Sequence, residues 1–139
     1  MLSGSSGDGE HRYTLPDYEK TTQVPAVAGT MVLVRKTLFE RAGGFDERFF
    51  MFMEDTDLSL RIHRAGFHNL FVPSAGGVHD WGRGSRMSRY RRSWRHHYSL
   101  WQYFLKHEPN AFAIFLLPLF LLANWLLVSI LPGKHEKPS

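Results

Sequence analysis

The chain has 139 residues, no cysteine, 43% hydrophobic and 14% aromatic residues and a formal net charge of +4. Lack of cysteine excludes disulfides and zinc-thiolate sites, the apolar content excludes a disordered chain, and the length suits one modest domain. The charge is unevenly placed: residues 83–106 carry seven Lys or Arg and no acid, so the rest nets to −3 (4 minus 7), and such a basic stretch points to a polyanionic surface.

In chain order, residues 1–25 read as a flexible polar segment; their first ten lack the basic region and apolar run of a signal peptide. Residues 26–35 (AVAGTMVLVR) are apolar without alternation and predict a buried strand at the centre of a small α/β unit. Thr37-Leu38-Phe39-Glu40 has the form of a capping box opening a short helix that Gly43 or Gly44 would close. Residues 45–53 (FDERFFMFM) read as an aromatic turn and a short extended piece. A second helix is predicted over 56–65, with Leu58, Ile62 and Ala65 on its apolar face, Asp57 paired to Arg61 and Gly66 as its stop. Residues 68–72 read as a strand ended by Pro73, and 74–86 as a Gly-rich loop. From 87 to about 107 a basic amphipathic helix is expected, with Tyr90, Trp94, His97, Leu100 or Trp101, and Phe104 on or near one face and Arg on the other.

Residues 111–131 contain no charge. At about 1.5 Å per residue they reach roughly 30 Å, the thickness of a bilayer core. Pro118 inside this stretch is expected to kink it. The soluble remainder is too small to surround such a helix, which argues against a buried core helix. A basic stretch running into an apolar one favours lipid over nucleic acid as the polyanion. Seven cations before the apolar run against two Lys in the tail 132–139 place residues 1–106 on the cytoplasmic side and the tail opposite.

The densest chemical signal is Glu54-Asp55-Thr56-Asp57, where three acids within four residues repel one another. A carboxylate at a helix N-terminus stays ionised and is able to serve as a general base. The plainer reading makes Asp55 a helix cap and Asp57 a partner of Arg61. His79, at the head of the Gly-rich loop, could face a metal or ligand, although seven other histidines occur in the chain.

These pieces stand in a specific order: Ala28-Gly29-Thr30-Met31-Val32-Leu33-Val34-Arg35, Gly43-Gly44-Phe45-Asp46-Glu47-Arg48-Phe49-Phe50, Glu54-Asp55-Thr56-Asp57-Leu58-Ser59-Leu60-Arg61, Arg64-Ala65-Gly66-Phe67, Val72-Pro73, Val78-His79 and Gly82-Arg83-Gly84-Ser85. The stretch from Val27 to His107 resembles the C-terminal half of glycosyltransferase family 2, its rhamnosyltransferase-like and galactofuranosyltransferase-like members in particular. The resemblance implies an α/β fold: residues 26–86 as the acceptor-side part of a GT-A domain, followed by the basic helix (87–110), a transmembrane helix (111–131) and a tail.

It further implies an inverting transferase with Asp55 as general base and with Glu54 and Asp57 at the acceptor. His79 would contact a divalent metal (Mn²⁺ or Mg²⁺), and Gly82, Arg83, Gly84 and Ser85 would lie near the donor phosphates. The implied partners are a nucleotide-sugar donor, a glycan or lipid-linked acceptor and membrane lipids along 83–131, with no nucleic acid, at the cytoplasmic face of the inner membrane. The family's nucleotide-binding half and its Asp-x-Asp metal motif on a strand end are not in this sequence; Asp55-Thr56-Asp57 mimics that spacing but belongs to the acceptor-side motif. A competing reading is a non-catalytic membrane-anchored remnant that binds a partner or glycan. A nucleic-acid binder using Arg83–Arg95 with Tyr90 and Trp94 leaves the apolar segment unexplained.

Overall fold

A computed structural model describes residues 19–78 and 87–130. The elements run β1 (Thr22–Val24), α1 (Lys36–Arg41), α2 (Glu54–Arg64), β2 (Asn69–Phe71), α3 (Arg89–His107), a π-helical turn (Phe112–Leu116) and α4 (Leu117–Ile130). β1 and β2 pair antiparallel, with Gln23 opposite Leu70. The mixed helix and strand content agrees with an α/β reading.

The strand expected at 26–35 does not form. Its backbone donors go to side chains of α2 rather than to a ladder: Val27 N–H donates to Ser59 Oγ at 3.2 Å and Gly29 N–H to Asp55 Oδ2 at 2.7 Å, while just before the stretch Asn69 Nδ2 of β2 donates to the Pro25 carbonyl at 3.1 Å. A strand needs a lateral backbone partner for its donors and acceptors, and here the donors of Val27 and Gly29 are taken by side chains of α2. Met31 and Leu33 are therefore exposed, at 62% and 101%.

Helix α1 also starts differently from expectation. Arg35 is its N-cap and makes no side-chain cap bond, so Thr37 lies inside the first turn and the Thr37–Glu40 box is not formed. Its end is as expected: Gly43 and Gly44 take φ of 83° and 67° and donate to the Glu40 and Phe39 carbonyls. Left-handed backbone is where glycine avoids the Cβ clash other residues meet.

Helix α2 is longer at its start than predicted and buries Asp57, Leu58, Ser59 and Ile62. Ala65, expected on the apolar face, is instead the exposed C-cap, and Gly66 follows at φ 86°. The small core comprises Phe49, Leu58 and Ile62, with Ala113 buried where the apolar helix begins.

Helix α3 is capped by Ser88, whose hydroxyl accepts from Arg91 N–H. Directly before Pro118 the chain widens into the π-helical turn. Proline has no N–H and its ring crowds the carbonyl four residues back, so local π geometry absorbs the misfit. Phe112–Ile130 forms one 19-residue helix long and apolar enough to cross a membrane, with only 6% of its apolar window buried.

Candidate functional site

The site is built where the aromatic turn meets the start of α2. Phe52 and Met53 both have φ 68° although neither is glycine, a backbone state that costs of order 1–3 kcal/mol per residue and persists only when the surroundings impose it. Here Ser99 of α3 donates to the Met51 carbonyl at 2.8 Å, and the His96 ring stands edge-on to Phe52 at 5.1 Å. The strained turn aims the first turn of α2, with Glu54 and Asp55 on it, along the segment that carries Gly29.

Asp55 is partly buried at the second position of α2. Its Oδ2 accepts from Gly29 N–H at 2.7 Å and its Oδ1 from Thr56 N–H at 2.7 Å. Two motifs 26 residues apart thus meet through one carboxylate. Glu54 lies beside it, and its Oε2 is shielded from solvent without a hydrogen-bond partner among the described residues. A buried polar atom left unpaired is uncommon and asks for a partner.

Asp57 departs from its expected place at the acceptor. It is fully buried, and both oxygens are engaged by protein groups. Oδ2 accepts from Arg61 Nε at 2.8 Å and pairs with Arg61 Nη2 at 2.7 Å, as the i,i+4 spacing foretold. Oδ1 accepts from Lys106 Nζ at 2.5 Å and meets His107 Nε2 at 2.7 Å. Arg64 Nη1 lies 3.0 Å from His107 Nδ1; a guanidinium only donates, so Nδ1 accepts and the ring proton sits on Nε2 facing Asp57. No lone pair remains for a substrate, which makes Asp57 an anchor rather than an acceptor contact.

The anchor extends further. Arg61 donates to the carbonyls of Ala42 and Gly44, tying α2 to the end of α1. Lys106 also reaches Asp46 Oδ2 at 2.7 Å, and Arg48 binds the same carboxylate. Burial pushes the Asp57 carboxyl upward, yet Lys106, His107 and Arg61 outweigh it and leave it below its ordinary value. The Arg48 guanidinium, against some opposition from burial and with help from Lys106, holds Asp46 well below the usual carboxylate range. Lys106 and His107 were not singled out from sequence; nothing local marks a Lys-His pair at a helix end as the partner of an acid 49 residues away.

His79, Gly82, Arg83, Gly84 and Ser85 lie outside the described residues. Among the described residues no three His, Cys, Asp or Glu side chains gather as a metal site.

Residues 15–133 match the family described as "Glycosyl transferase family group 2". Over 53 residues the chain is 49% identical to an N-acetylglucosaminyl-diphospho-decaprenol L-rhamnosyltransferase of Mycobacterium tuberculosis, a stretch covering 38% of this chain and 17% of that protein. It is 43% identical over 58 residues to the rhamnosyltransferase WbbL of Escherichia coli K12, covering 42% of this chain and 22% of that protein. The matched stretches are thus about a fifth of the length of these relatives. No solved structure matches the chain.

Proposed function

The chain belongs to glycosyl transferase family group 2, and from that premise we propose that it is the acceptor-side portion of a membrane-attached inverting glycosyltransferase. In this reading the longer enzyme moves a sugar from a nucleotide-sugar donor to a glycan or lipid-linked acceptor in cell-wall or polysaccharide synthesis. The two rhamnosyltransferase relatives favour that substrate class. The observation that carries the reading is the Asp55 carboxylate, held in place by Gly29 N–H at 2.7 Å beside the orphaned oxygen of Glu54.

Asp55 takes the proton from the acceptor hydroxyl as that oxygen attacks the anomeric carbon. A hydroxyl is a weak nucleophile, and a positioned carboxylate raises its reactivity during the attack. The hydrogen bonds that fix Asp55 orient it while leaving it partly open to solvent. Glu54 would receive an acceptor hydroxyl on Oε2, satisfying an atom that is unpaired among the described residues. His79 would hold a Mn²⁺ or Mg²⁺ ion, with residues 82–85 near the donor phosphates; when bound, the ion neutralises charge on the departing diphosphate. The exposed Met31, Val32 and Leu33 form an apolar surface, which the donor-binding portion of a longer enzyme would cover. The basic α3 and apolar α4 attach the domain to the cytoplasmic face of the inner membrane.

The test is sugar transfer by the longer enzyme that contains this chain, with a panel of nucleotide sugars and a lipid-linked acceptor. Asp55→Asn keeps the shape and loses the basic lone pair, so turnover falls by about 10² to 10⁴. Near-normal turnover in Asp55→Asn would remove the assignment. A non-catalytic remnant would show no transfer in any variant.

A further inference from the structure

Helix α3 is held between two layers. On one side it meets the folded part of the chain: Arg95 covers the Phe50 ring at 4.4 Å, Ser99 bonds Met51, and Lys106 and His107 bond Asp57. On the other it meets the apolar helix: Trp125 Nε1 donates to the Tyr90 carbonyl at 3.1 Å, Trp94 packs edge-on to Trp125 at 5.4 Å, His97 pairs with Asn124 at 2.9 Å, and Trp101 Nε1 donates to the Ala113 carbonyl at 2.9 Å. At about 3.6 residues per turn these two sets fall on opposite sides of α3. The pairings also run in opposite directions, from Tyr90 with Trp125 to Trp101 with Ala113, so α3 and α4 form an antiparallel hairpin along nearly the whole apolar helix.

This order of layers decides how α4 meets a bilayer. Were α4 to cross, α3 would stand upright beside it, and Arg95, Arg92 and Arg91 would lie about 9 to 15 Å farther in than Trp101. The domain face at Phe50 and Met51 would be drawn in with them. Charged side chains and irregular backbone are both disfavoured at that depth. A hairpin lying flat meets none of these costs. The exposed apolar side of α4, with Leu119, Phe120, Leu122, Leu126, Leu127 and Ile130, then faces acyl chains. The exposed Arg91 and Arg92 and the exposed aromatic rings of Tyr90, Trp94 and Tyr98 share the headgroup level, where aromatic and basic residues are favoured.

We propose that the α3–α4 hairpin lies in one leaflet of an anionic membrane, so that residue 139 and the folded part of the chain are on the same side, and that the apolar helix Phe112–Ile130, although long enough, does not cross. The occupant of the apolar face is lipid rather than a second copy of the chain, because the exposed Arg91 and Arg92 complement phosphate headgroups and would repel their own kind.

The chain contains no cysteine, so single reporters are clean. Ser74→Cys and Ser139→Cys variants of the full chain are bound to sealed vesicles of phosphatidylethanolamine and phosphatidylglycerol, floated, and treated from outside with a membrane-impermeant maleimide. Both label to the same extent before permeabilisation if the hairpin lies flat; one labelling only after permeabilisation overturns the proposal. Spin labels at Leu119→Cys and Ile130→Cys, which share one side of the helix, report equal depth in a flat helix and differ by about 16 Å along the normal in a crossing one. Replacing Arg91 and Arg92 together by Gln weakens vesicle binding by about fivefold per charge. A chain that does not float with vesicles, or that dimerises through α4 without lipid, refutes both this proposal and membrane attachment. Opposite-side labelling refutes this proposal alone, and neither outcome touches sugar transfer.

Discussion

Asp57→Asn tests whether the buried carboxylate anchors the site. The substitution keeps the volume but removes the charge, and it directs an NH₂ group at either Arg61 or the Lys106–His107 pair. Four contacts to donor nitrogens converge on a side chain that is 0% exposed. Counted singly at about 1.5–3 kcal/mol each they would sum to about 6–12 kcal/mol. That sum is too large, because two contacts come from one guanidinium and the carboxylate regains solvation on unfolding. Breaking one partner of a buried ion cluster costs about 3–5 kcal/mol, and that is the expected loss. Hydrogen–deuterium exchange of α2 amides in mild detergent reads it directly, as a fall in protection of about two to four orders of magnitude. Protection of Leu58–Arg61 amides within threefold of the parent would show that Asp57 does not hold α2, and the anchor would be wrong.

The Asp57 and Asp46 carboxyls both lie below their ordinary values in the folded chain, so the unfolded chain binds protons more tightly. Their contribution is fully present above about pH 4 and is lost as pH falls below it; urea midpoints from pH 7 to pH 2 follow that course, with a weaker slope in Asp57→Asn. Gly66→Ala puts a Cβ into open space but at φ 86°, so it costs about 1–2 kcal/mol through backbone strain alone, seen as a lower melting temperature. In the longer enzyme, Glu54→Gln raises the KM for acceptor with a smaller change in kcat, read from initial rates. His79→Ala weakens donor use, and added Mn²⁺ partly restores it, as metal titration of activity will show.

Much of the local structure was legible in the sequence because it depends on neighbours in the chain. Gly43, Gly44 and Gly66 end helices through their own backbone freedom, Asp57 and Arg61 meet because four residues make about one turn, and an uncharged apolar run of 21 residues must seek a dry surface. The strand at 26–35 failed for the opposite reason: its apolar residues describe a preference for burial, while a ladder depends on a backbone partner, and the Val27 and Gly29 donors go to side chains of α2 instead. Only the tertiary structure decided that Asp57 faces inward to Lys106 and His107, since the spacing that joins it to Arg61 says nothing of residues 49 and 50 positions away. The left-handed turn at Phe52 and Met53 carries no glycine or asparagine to announce it; contacts from His96 and Ser99 impose it from outside. Length and hydropathy likewise mark Phe112–Ile130 as able to span a bilayer, but its orientation follows from the basic helix laid along it. That arrangement belongs to packing, which sums contacts over distant residues, and no local pattern encodes it.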